Sequence, residues 1–144
     1  MRTLIFIMLI SFPYYANAGD YNTEIAKFFT LYESGKKIEA IDTLYSTNPW
    51  MSNASDAIQN IKTQLQGIEK IVGNYNGKEL LGELNIKNRF VHVTYIALYD
   101  RQPVRMEFQF YRPRNDWIIY SFAYDINFDD EVETGAREKI SHGM

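Results

Sequence analysis

Apolar residues recur at helical spacing through the first half of this chain and alternate through the second. Ile25, Phe28, Phe29 and Tyr32 stand at i, i+3, i+4 and i+7, one face of a helix that Gly35 can end in the left-handed conformation other residues avoid. Ile38, Ile41, Leu44 and Tyr45 mark a second helix. Asn48-Pro49-Trp50 interrupts it, since proline lacks a helical N–H and pushes the preceding residue out of the helical region. Asn53 or Ser55 can cap a third helix, whose stripe of Ala57, Ile58, Ile61, Leu65, Ile68 and Val72 lies opposite Gln59, Lys62, Gln66 and Lys70 and stops at Gly73.

Beyond Gly73 the period falls to two and the turns set registers. Lys87-Asn88 as a two-residue turn pairs Ile86 with Arg89, Leu84 with Val91 and Leu80 with Tyr95. In Asp100-Arg101-Gln102-Pro103 the proline has no N–H to close a two-residue hairpin, so a four-residue loop is expected, pairing Tyr99 with Val104. Pro113 to Asn115 as a three-residue loop pairs Arg112 with Asp116 and Phe110 with Ile118.

One face then carries Leu80, Leu84, Ile86, Val91, Val93, Tyr95, Ala97, Tyr99, Val104, Met106, Phe108, Phe110, Ile118, Tyr120, Phe122, Tyr124 and Ile126. The fold class expected is α+β: N-terminal helices packed on one face of a curved four-stranded antiparallel meander, with a short C-terminal helix over Asp129 to Lys139. The other face is mixed and too apolar to be simply wet. Leu81, Thr94, Gln109 and Ile119 form one cross-strand row and Glu83, His92, Tyr111 and Trp117 the next, with Ile96 beside them. An interface is expected there through Leu81, His92, Ile96, Gln109, Tyr111, Trp117 and Ile119, with a second copy or another protein as partner.

The amino terminus changes the picture. Arg2, the apolar run Leu4 to Ile10 and Ala16-Asn17-Ala18 have the form of a secretory signal peptide, residues 1–18, cleaved before Gly19. The apolar run is too short for the roughly 20 residues of a spanning helix, so no membrane anchor is expected. Residues 19–144 then form a single cone-like α+β domain, periplasmic or secreted. The chain has no Cys, so it carries neither a lipidation cysteine nor a disulfide. Fifteen Lys+Arg stand against 18 Asp+Glu, net −3, and removing the signal takes Arg2 and no acid. Nucleic acid is therefore not an expected partner, because phosphate binding needs a basic surface.

Helices followed by a curved antiparallel sheet in a chain of this size resemble the nuclear-transport-factor-2-like (cystatin-like cone) superfamily. Its members bind ligands between helices and sheet or dimerise through the sheet's outer face. The segments GKKIEAIDTLYSTNPW, GNYNGKELLGEL and YIALYDRQPVRMEFQFYRPRNDWIIYSFAYD also look like a family of uncharacterised exported bacterial proteins. Neither resemblance brings a functional residue that transfers to a position here.

Candidate chemistry is sparse. Glu83 and His92 come out as cross-strand neighbours, a carboxylate able to orient an imidazole as an acid–base pair, or equally a row of interface hydrogen bonds. Tyr95, Tyr99, Tyr120 and Tyr124 suit the wall of an apolar ligand pocket, or plain core. Asp125-Ile126-Asn127-Phe128-Asp129 imitates the opening of a calcium loop, but Asp130 stands where glycine is needed and Ala136 where a glutamate is needed, so no metal and no cofactor is expected. Asp100 to Pro103 reads as a structural clamp at the sheet's rim, with a ligand-facing Arg101 as the lesser alternative, and Arg105 opposite Ala123 and diagonal to Asp125. Two functions follow: an exported, non-enzymatic binding or interaction protein working through the outer face or an apolar pocket, or a small cone-fold enzyme, isomerase- or hydrolase-like, on an apolar substrate.

Overall fold

The computed structural model describes residues 20–51 and 55–143. The signal peptide and the Asn53 cap lie outside them. Four helices, α1 (Tyr21–Glu33), α2 (Lys37–Tyr45), α3 (Asp56–Gly67) and α4 (Glu69–Val72), precede β1 (Tyr75–Ile86), β2 (Phe90–Tyr99), β3 (Val104–Tyr111) and β4 (Ile118–Asp125), and α5 (Asp129–His142) closes the chain. The strands form one open antiparallel sheet in the order β1-β2-β3-β4, so the fold is α+β as expected.

Local chemistry sets the helix ends. Asp20 caps α1 by accepting the Asn22 N–H, and Ser55 caps α3 by accepting the Ile58 N–H. Gly35, at φ +83°, lets the Lys36 N–H turn back to the Leu31 carbonyl at 2.9 Å. Two details of the helical layer differ from the sequence reading. Ile38 is exposed, because the buried stripe of α2 runs through Lys37, Ala40, Ile41, Leu44 and Tyr45. Lys62, assigned to the solvent side, is buried: its stem lies in the seam between α3 and α2 and its ammonium meets Asp42.

The layer packs through aromatic rings. Phe28 meets Phe108 and Phe122 at 5.1 and 5.2 Å between centroids, and Phe29 meets Tyr95 at 4.9 Å. Val91, Val93, Ala97, Val104, Met106 and Phe110 complete the buried face. Aromatic side chains thus fill the space between helices and sheet.

All three registers depart from expectation, each for a visible reason. At the first turn Lys87 and Asn88 both take positive φ and the Arg89 N–H reaches the Ile86 carbonyl, as a two-residue turn requires. Yet the ladder begins with Ile86 opposite Phe90. Arg89 is drawn to the neighbouring corner instead, its Nη1 donating to the carbonyls of Arg112 and Arg114 and its own carbonyl accepting the Arg112 N–H. Leu84 therefore faces His92 and Glu83 faces Val93, until the extra residue Leu81 restores Leu80 opposite Tyr95. Between β2 and β3, Val104 pairs with Ala97 and not Tyr99, a two-residue shift that leaves every side chain on its expected face. Between β3 and β4, Phe110 pairs with Ile119 and not Ile118, and Tyr120 is the extra residue before Gln109 meets Ser121. Trp117 and Ile119 thereby turn into the core, where the Asn48 side chain donates to the Ile119 carbonyl at 2.7 Å and Thr47 Oγ1 accepts its N–H at 2.9 Å.

The Asp100–Pro103 corner is a clamp. Asp100 accepts the Asn74 N–H and the Asn76 amide, and Arg101 donates to the carbonyls of Lys70 and Ile71 through Nη1 and of Val72 through its backbone N–H. An arginine thus caps the carboxyl end of α4, where the peptide dipoles favour a cation.

Candidate functional site

The registers decide which residues the outer face of the sheet presents. Opposite residues in an antiparallel pair share a face, so Leu84, His92, Gln109 and Ser121 form one row, and Ile86, Phe90, Tyr111 and Ile118 the next toward the turns. Tyr120 joins them, its ring 5.5 Å from that of Phe90. Leu84, Ile86, Tyr111 and Tyr120 are 62%, 50%, 42% and 54% exposed, in one contiguous apolar field at the turn end.

Polar groups sit toward the middle. Gln109 Nε2 lies 3.0 Å from His92 Nδ1, while His92 Nε2 lies 3.1 Å from Thr94 Oγ1 and 3.3 Å from Glu107 Oε1. With its proton on Nε2 the ring accepts from Gln109 Nε2 at Nδ1 and has one N–H to share between Thr94 Oγ1 and Glu107 Oε1. At the far end Arg105 stands directly opposite Asp125, not Ala123, and binds Asp125 at 3.1 Å and Glu131 of α5. These bonds hold the Arg105 guanidinium above its usual range, Glu131 contributing most. The first turn of α5 is thereby fixed over the outer face, with Phe128 and Val132 beside Leu81, Gly82 and Thr94 around a depression of about 400 Å³.

The acid–base pair expected from sequence is not brought together. Glu83 is opposite Val93 on the helix-facing side, where it accepts the Tyr21 hydroxyl at 2.7 Å, and His92 is on the other face. Of the expected interface, Leu81, His92, Ile96, Gln109 and Tyr111 lie on the outer face, whereas Trp117 and Ile119 are core. Trp117 packs edge-on against Tyr21 at 5.1 Å.

The four tyrosines expected to line a pocket are divided. Tyr99 is buried with its hydroxyl on that of Tyr32, Tyr95 packs on Phe29, and Tyr124 donates to Gln64 Oε1 at 2.7 Å. Tyr120 is on the opposite face altogether. Burial pushes Tyr99 up to about 12 and Tyr32 further, so both are neutral phenols that hold the core through a hydrogen bond. Asp125, which opens the calcium-like run, spends its oxygens on Arg105 and the Asn127 N–H.

Sequence reasoning missed Leu84, Ile86, Ile118 and Tyr120 as outer-face residues. The signals were Leu80-Leu81 followed by glycine and the unbroken run Trp117-Ile118-Ile119-Tyr120, where alternation fails and a bulge can enter. Among the described residues no helix is long and apolar enough to cross a membrane. Neither a family model, nor a curated protein, nor a solved structure matches the chain.

Proposed function

We propose that this chain is an exported, non-enzymatic interaction protein whose outer sheet face is its working surface, covered by a second copy of itself. The observation that carries this is the apolar field of Leu84, Ile86, Tyr111 and Tyr120 around the half-buried Phe90 and Ile118. Half-exposed side chains of this size present on the order of 100 Å² each. With Leu81 and Leu98 on the same face they supply several hundred Å², the apolar centre of an interface of ~800 Å² per partner. The engaged polar group of His92, Gln109 and Glu107 beside that field suits an interface with a wet margin. Export rests on the charged start, apolar run and Ala16-Asn17-Ala18 of the amino terminus.

Sedimentation equilibrium on residues 19–144 tests the association. A dimer is expected at micromolar concentration, and Leu84→Glu, which would bury a charge in the contact, is expected to make it monomeric without changing the melting temperature of the monomer. A wild-type chain that stays monomeric at millimolar concentration refutes the reading.

A further inference from the structure

Resting on that reading, we infer that the two copies lie antiparallel across the outer face, the basic turn end of each seated against the acidic first turn of the other's α5. Of the face-to-face pairs that two-fold symmetry allows, two keep the strands of the two sheets aligned. With the axis along the strands, like ends meet; with the axis across them, each turn end meets the partner's far end.

Charge separates the two alignments. The turn end carries Lys87, Arg89 and Arg114 against Asp116, Arg112 lying over Trp117 on the helix side, while the far end carries Asp100, Asp125, Asp129, Asp130 and Glu131 against Arg101 and Arg105. Like ends in contact would set three cations against three. Opposite ends in contact pair them with acids, and interfaces select against like-charge contact more strongly than they reward attraction. Lys87, Arg114, Asp129 and Asp130 are exposed and make no ion pair among the described residues, so these are the charges free to pair across the contact.

Shape agrees with charge. The first turn of α5 stands on the far half of the outer face and leaves the turn half uncovered, so the surface is a step. Two such steps nest only when antiparallel. The depression at the foot of the step, about 400 Å³, has apolar walls in Leu81, Phe128 and Val132, and Val132 is 58% exposed. Ile86, beside Lys87 on the partner's turn, is the apolar residue that reaches it.

The absence of cysteine makes a direct test available. Lys87→Cys subunits mixed with Asp130→Cys subunits should be joined by a short bismaleimide, whereas either variant alone should not cross-link to itself. Reversing Lys87→Glu with Arg114→Glu, or Asp129→Lys with Asp130→Lys, should weaken the dimer about tenfold, and one chain carrying all four should regain affinity. Salt raised from about 0.1 M to about 1 M, which shortens the screening length from ~10 to ~3 Å, should weaken the wild type and not the singly reversed chains. All four positions are exposed, and unchanged circular dichroism checks folding. Lys87→Cys subunits that cross-link to one another in preference to Asp130→Cys, or a dimer indifferent to the reversals, would overturn the antiparallel alignment while face association stands. A monomeric wild type overturns both.

Discussion

Replacing Gly73 with alanine probes the corner that joins the helical layer to the sheet. Gly73 sits at φ +88°, ψ −165°, a region open in practice only to glycine, and holding another residue there costs about 1–3 kcal/mol. A Cβ at this position would stand 2.6 Å from Asp100 Cβ. That atom is one bond from the backbone, so relief requires the Asp100 corner itself to move, and the bonds from Asp100 to Asn74 and Asn76 move with it. The backbone cost and the displacement act in the same direction, which puts the expected loss at the top of that range, about 3 kcal/mol, against a total stability of 5–15 kcal/mol typical of a domain. Urea unfolding followed by circular dichroism measures it. Asp100→Gly removes the opposing Cβ, so in Gly73→Ala/Asp100→Gly the two losses should sum to clearly more than the double mutant shows. Gly67→Ala is the control: it lies in α3 with open space around its Cβ and an ordinary helical φ, and should be neutral or slightly stabilising. A loss below about 1 kcal/mol in Gly73→Ala, or strict additivity with Asp100→Gly, would refute the clamp.

Asn48→Ala removes a buried amide that donates to the Ile119 carbonyl and accepts the Trp50 N–H, and should cost about 1–3 kcal/mol, read from the urea midpoint at unchanged m-value. Glu33 is held below its usual range chiefly by the Lys78 ammonium, with the Tyr75 hydroxyl adding to it. A depressed carboxylate contributes stability that is fully present above its unfolded value and is lost as pH falls through its folded value, so the loss belongs below about pH 4.5. Thermal melts across that interval should show Glu33→Gln with a shallower acid decline than the wild type, and parallel declines would remove Glu33 from the account.

Element types and order could be read from periodicity because each element buries one face, and burial is what periodicity records. Phe28, Phe29 and Tyr32 on one helix and Val104 to Phe110 on one strand face are where that logic is strongest, and they are core. Registers were less legible, since a register is decided by bonds between elements. Nothing near Lys87-Asn88 announces that Arg89 will bond the Arg112–Arg114 corner, and that bonding moves Glu83 away from His92. Nothing in Trp117 to Tyr120 says which two of four apolar residues go inward, until Thr47 and Asn48 hold the backbone of Ile119. The existence of a mixed outer face is legible in the alternation, but its membership depends on two extra residues, Leu81 and Tyr120, that alternation cannot place.

Why a second copy would choose the face and not an edge follows from how the two edges are finished. At β4, side chains of the helical layer occupy both backbone groups of Ile119. At β1 the outer edge of a twelve-residue strand has no neighbouring strand among the described residues, an ordinary invitation to strand addition. Yet the ladder of β1 is irregular on both sides of its middle, at Asn76 and at Leu81, so a straight added strand would lose register within a few residues. Lys78, Glu79 and Glu83 place charges along it, and α1 holds two of them, Lys78 through Glu33 and Glu83 through Tyr21. An edge bent twice and lined with engaged charges is a poor template, while the face beside it keeps Leu84, Ile86, Tyr111 and Tyr120 uncovered. The bulge at Leu81 serves both ends: it breaks the edge, and together with the displaced Arg89 it turns Leu84 and Ile86 outward, building the surface on which the proposed association rests.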